Sequence, residues 1–92
     1  MSRAKTLKYH LYADPGHAWL KVRLKTIRQL NIQKNISKYS YTSGSFIFLE
    51  EDVDMPLFIN AWQDRVGCAF PVIERHTAEE KSWIRQYPKY QI

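Results

Sequence analysis

The sequence predicts a small α+β domain: an antiparallel sheet of about five strands, in ββαββαβ order, packed against one main helix and one short helix. Three observations predict it. Apolar and polar residues alternate on both sides of Asp14, Pro15, Gly16 and His17, as in a hairpin with one face on a core. Between Asp54 and Gly67 the apolar period lengthens to that of a helix. With 92 residues the chain supports one hydrophobic core and is too short for a second, so residues 1–92 form a single domain.

The first strand holds Leu7, Tyr9 and Leu11, separated by Lys8, His10 and Tyr12. Pro15 and Gly16 suit the central positions of a turn. Ala18, Leu20 and Val22 then resume the alternation, with Trp19, Lys21 and Arg23 on the opposite face. Leu24, Ile27 and Leu30 recur at helical spacing, which turns Lys25, Arg28 and Gln29 toward solvent on a short helix ending near Asn31. Ile36 to Thr42 reads as extended, and Ser43 with Gly44 turns the chain into a strand from Phe46 to Glu50. Phe46, Ile47, Phe48 and Leu49 are all apolar, so that strand is covered on both faces and lies inside the sheet.

Asp54 is the expected N-cap of the main helix, with Met55 and Pro56 in its first turn. Leu57, Phe58, Ala61, Trp62 and Val66 share its apolar face, and Gly67 ends it. Phe70, Val72 and Ile73 form a further strand, which Pro71 marks as an edge. The final segment carries two signals. Thr77 and Glu80 match a capping box, whereas Trp83, Arg85 and Tyr87 alternate as in a strand; a mostly extended tail is preferred because Pro88 stops any helix. The only cysteine, Cys68, sits between Gly67 and Ala69 and is read as a core thiol.

The inventory excludes several functions. No disulfide can form with one cysteine, and no apolar run approaches a membrane span, so a cytoplasmic protein without a membrane partner is expected. The spacings of an EF-hand, of HExxH and of paired Cys and His zinc ligands are absent, as is GxSxG around any serine. No metal site, cofactor or catalytic residue is therefore expected, and the protein is read as no enzyme. Glu50, Glu51, Asp52 and Asp54 form an acidic loop that, with His10, His17 or His76, has the groups to hold a hard cation. The helix dipole and cap account for Asp52 and Asp54 without one. His17 is the histidine best placed for chemistry, being at a turn tip, but is expected to bond its own turn.

For binding, the candidates are Trp19, Lys21, Arg23, Lys25, Arg28, Tyr39, Tyr41, Trp83 and Arg85, with Lys34 and Lys38 beside them. Cations beside strand aromatics are the mixture that sheets use to hold nucleic acid. The chain's net charge of +5 is unevenly spread: residues 1–49 carry nine Lys and Arg against Asp14 alone, and residues 50–80 carry eight acids against Arg65 and Arg75. A bipolar chain suits a protein partner at least as well as a polyanion. An edge strand near Pro71 and the tryptophans also admit a homodimer.

Asp14, Pro15, Gly16, His17, Trp19, Leu20 and Val22, then Ile36, Ser37, Tyr39, Ser40, Tyr41 and Gly44, then Leu49, Glu50, Glu51, Asp52 and Asp54, make a pattern: DPGHxWLxV, ISxYSYxxG, LEEDxD. It resembles a family of small bacteriophage and mobile-element proteins, and the ending with Ser82, Ile84, Arg85, Pro88 and Tyr90 is similar too. The resemblance brings no activity, cofactor or catalytic residue. Where members carry cysteine before the second aspartate this chain has Val53, which argues against a metal-binding or redox acid loop. A phage origin implies a stoichiometric binder of a host protein or protein–nucleic-acid complex, acting in host takeover or against host defence. A basic nucleic-acid-binding module (DNA or RNA) using the N-terminal half is the alternative; a small enzyme with a site formed by His17 and the acidic loop is the last.

Overall fold

A computed structural model describes residues 8–78 and 83–90. The alternating stretches become strands β1 (Lys8–Ala13) and β2 (Ala18–Arg23), paired antiparallel with Ala13 opposite Ala18. Asp14 shapes the turn between them: its Oδ1 accepts the N–H groups of Gly16 and His17, each at 2.9 Å. Its own N–H donates to the His17 carbonyl at 2.8 Å. Helix α1 (Leu24–Gln29) follows β2 directly, burying Ile27, and the chain leaves it through Asn31, whose φ of 60° is one that asparagine tolerates.

The extended segment predicted from Ile36 is shorter than its sequence suggests. Ser37 and Ser40 both direct their hydroxyls to Asp54, which bends residues 37–40 into a turn and leaves β3 as Tyr41–Ser43 only. A turn through Gly44 (φ 60°) leads to β4 (Phe46–Glu50), an interior strand with Ile47, Phe48 and Leu49 buried as predicted.

Helix α2 (Asp54–Val66) buries Asp54, Phe58 and Trp62, one residue per turn. Two expectations for it are corrected. Val53, not Asp54, occupies the N-cap position, and the capping acceptor is Glu50, whose carboxylate receives the N–H groups of Asp52 and Val53 at 2.6 and 2.9 Å. Val66, the last residue of the helix, is exposed. Gly67 closes the helix at φ 82°, its N–H donating to the Gln63 carbonyl. An alanine Cβ there meets nothing within 4 Å. Gly67→Ala is therefore a purely conformational test, and urea unfolding is expected to show a loss of about 1 kcal/mol with unchanged m-value. Beyond that turn Cys68 is exposed, not in the core as predicted, because the chain has already left the helix and the sheet.

Strand β5 (Val72–Thr77) lies at the sheet edge, as Pro71 suggests, but pairs parallel with β1. The order is β3-β4-β2-β1-β5. The sheet is thus mostly antiparallel with one parallel pair, since α2 carries the chain back along the sheet and β5 must then run in the same direction as β4. The tail is also corrected: Trp83–Gln86 is a 3-10 turn, and only the residues around Lys89 extend, bridging to Tyr41 and hydrogen-bonding Thr42 and Ser40. Glu80 of the suggested capping box lies outside the described residues.

Each face of the one sheet therefore carries a cluster of buried apolar side chains. Leu11, Leu20, Val22, Ile47 and Leu49 pack on α1 and α2, with Phe58 at the centre. On the opposite face Ile84 is buried against Trp19 and Phe48, flanked by Tyr12, Tyr41, Phe46 and Tyr87. Tail residues 83–90 cover only part of that second face.

Candidate functional site

The uncovered part of the second face is basic. Alternation along β2 points Lys21 and Arg23 there beside Phe46 of β4, which pairs with Arg23. The Lys21 ammonium sits 4.2 Å, and the Arg23 guanidinium 5.4 Å, from the centre of the Phe46 ring. Both long side chains are thereby partly ordered before any ligand arrives. Because α1 starts at Leu24 without a loop, its exposed Lys25 and Arg28 continue the same line of charge. Two open cavities follow that line: about 470 Å³ between Lys8, His10, Lys21, Arg23 and Phe46, and about 370 Å³ between Arg23, Lys25, Arg28 and Ser45.

Two acids of the acidic stretch, and the one acid of the basic half, are internal. Asp14, Glu50 and Asp54 are buried. Asp54 accepts the Ser37 N–H at 3.0 Å and the hydroxyls of Ser37 and Ser40 at 2.7 and 2.6 Å. The Ser40 oxygen in turn accepts the Glu50 N–H at 3.0 Å. Asp14 receives Arg85 as a two-pronged ion pair at 2.7 and 3.0 Å, and this partner holds the Arg85 guanidinium above its usual pKa. These carboxylates organise turns and a helix start, so they offer little charge to a partner.

A third hollow, of about 300 Å³, lies at the other end of the second face. Here Trp19, Tyr39, Tyr41 and Arg85 converge with His17, Glu50 and Asp52. The binding candidates other than Trp83 thus divide into two groups, with Lys21, Arg23, Lys25 and Arg28 apart from these four. Trp19 is only 2% exposed, with the Arg85 guanidinium 5.1 Å over its ring; it is a floor, not a projecting anchor. Trp83 is half-exposed and stands edge-on to Phe48 and Tyr12. His17 does reach the cleft holding Glu50 and Asp52, yet Glu50 has an oxygen on each of two backbone N–H groups. That use of Glu50 removes it as a ready general base.

One constellation escapes sequence reasoning. The parallel pairing sets His10 opposite Glu74 and Tyr12 opposite His76, all facing the second side of the sheet. His10 Nδ1 lies 3.0 Å from His76 Nε2, which in turn lies 3.7 Å from Glu74 Oε2. Lys8 holds the other Glu74 oxygen at 3.0 Å and, with the nearby imidazoles, keeps the Glu74 carboxyl below its ordinary pKa. The contribution of that ionised carboxylate is present above the ordinary glutamate range and fades as pH falls through the lowered value. Only a parallel register between β1 and β5 reveals this group, and a hairpin-based reading of the sheet conceals it.

No family model, no curated protein and no solved structure matches this chain. Among the described residues no helix is long and apolar enough to cross a membrane.

Proposed function

We propose that this protein is a non-enzymatic nucleic-acid-binding module that grips the sugar-phosphate backbone with Lys21, Arg23, Lys25 and Arg28. The observation that carries this reading is the line of Lys21, Arg23, Lys25 and Arg28 running from strand into helix in a half of the chain whose one acid, Asp14, is buried and paired with Arg85. Lys21 and Arg23 are stacked on Phe46, so less side-chain freedom is lost on binding than at an unsupported basic patch. Contacts of this kind fix a duplex or strand by charge and do not read its sequence.

Fluorescence anisotropy with labelled single-stranded and duplex oligonucleotides tests it. If the four cations each displace a counterion, the log–log dependence of affinity on salt has a slope of about −3 on single strands and somewhat steeper on duplex. Lys21→Ala, Arg23→Ala, Lys25→Ala and Arg28→Ala are each expected to weaken binding and to flatten that slope by about 0.7 on single strands and about 0.9 on duplex. Absence of binding at low salt for both nucleic acids overturns the proposal.

A second reading has its own support. The hollow formed by Trp19, Tyr39, Tyr41, Glu50, Asp52 and Arg85 combines an aromatic floor with charges of both signs, chemistry suited to an inserted side chain of a protein partner, such as a host factor.

A further inference from the structure

We propose that His10, Glu74 and His76 form a binding site for a zinc-class divalent metal ion, bound through His10 Nδ1, His76 Nε2 and a Glu74 carboxylate oxygen, with a further position open to solvent. The inference does not depend on nucleic-acid binding. It rests on the position of three ligating side chains on two adjacent strands. Their ligand atoms all lie within 4.8 Å of one another. Zinc bonds of about 2.0–2.1 Å in tetrahedral geometry separate two ligand atoms by about 3.3 Å. The observed 3.0 Å between the two imidazole nitrogens and 3.7 Å from His76 to Glu74 fall on either side of that value. Closing the set requires a swing of the Glu74 carboxylate toward His10, and that side chain is 43% exposed.

The surroundings suit the chemistry. Two imidazoles and one carboxylate favour borderline first-row metals and disfavour calcium or magnesium, which want oxygen ligands. The Tyr12 ring stacks on His76 at 4.9 Å with 17° between planes, limiting rotation of that imidazole. Lys8 takes the Glu74 oxygen that faces away from His76, as an outer partner that orients a ligating carboxylate does. Sheet pairing holds both backbones, so the site is preorganised on rigid elements rather than on a loop. Side-chain exposure of 39% at His76 gives the ion a way in and leaves room for water in the fourth position.

The test uses the full chain with zinc and cobalt ions alone. Titration calorimetry is expected to give one zinc per chain, and cobalt is expected to develop the visible ligand-field bands of a low-symmetry, four- or five-coordinate ion. His10→Gln and His76→Gln are each expected to weaken zinc affinity tenfold or more, and His17→Gln, altering the remaining histidine, to leave it unchanged. Circular dichroism checks that each variant is folded. In the unaltered protein, zinc is expected to shift the imidazole NMR signals of His10 and His76 and not those of His17, a result that needs no variant. No zinc uptake, uptake that survives the double variant His10→Gln/His76→Gln, or perturbation centred on His17 overturns the assignment.

Discussion

Replacing Asp54 by alanine is expected to lower stability by about 4 kcal/mol, the largest effect of any single change considered for this fold. The carboxylate is fully buried and receives three hydrogen bonds, two from hydroxyls and one from a backbone N–H. Charge-assisted bonds of this kind contribute about 1.5–3 kcal/mol each, and Ala abandons all three while leaving the buried Ser40 hydroxyl without its acceptor. For a domain of this length the loss corresponds to about 20 °C in Tm. Asp54→Asn keeps the shape but turns an amide N–H₂ toward hydroxyls, one of which already accepts from Glu50. It is therefore expected to fall between alanine and the unaltered protein. Urea unfolding followed by circular dichroism checks the ranking; an alanine variant within 1 kcal/mol of the unaltered protein contradicts the network's role.

Arg85→Ala is expected to cost about 3 kcal/mol, because it breaks a largely buried pair and leaves a carboxylate away from water. The Asp14 side chain is wholly buried, and it keeps the Gly16 and His17 N–H groups as donors. Those surviving bonds keep the figure at the lower end for a buried ion pair. The change also unclips the 3-10 turn that places Ile84 against Trp19 and Phe48. Acrylamide quenching of tryptophan fluorescence should therefore rise under native conditions. Arg85→Lys is expected to recover only part of the loss, since a lysine ammonium cannot reproduce the two parallel bonds of the guanidinium. Unchanged quenching and stability in Arg85→Ala would show that the tail is held by packing alone.

Much of this fold is legible in the sequence, and the misses share a cause. Period-two alternation around the Pro15–Gly16 turn and the spacing of Phe58 and Trp62 report local backbone geometry, which neighbouring residues determine. The ββαββαβ order follows from them. What alternation does not report is which acceptor a short polar side chain will find. Ser37 and Ser40 look like strand residues until Asp54, from a later helix, takes their hydroxyls. Glu50 looks like the end of a strand, yet it supplies the cap that Asp54 was expected to provide. The DPGHxWLxV, ISxYSYxxG and LEEDxD patterns contain many of these internal acids and serines, so much of that pattern reflects architecture.

The candidate sites show the same limit. Runs such as Lys21, Arg23, Lys25 and Arg28 are readable because a strand leading into a helix keeps them contiguous. The His10, Glu74 and His76 group is created by a pairing between chain segments more than sixty residues apart, and no local pattern encodes a parallel register. Trp19 resembles an exposed anchor in the sequence because the segment that buries it comes from the far end of the chain.

That distant pairing also bears on how the domain comes into being. Strand β1 has β2 on one side and β5 on the other, and Asp14 meets Arg85 across 71 positions of chain. A growing polypeptide can form the first hairpin early, but the sheet lacks its fifth strand, and Trp19 its cover, until residue 85 has left the ribosome. Closing such long loops is slow and becomes favourable only when several contacts form together. Synthesis and folding should therefore be separated in time for this protein, with a half-made chain exposing aromatic surface that a chaperone would recognise.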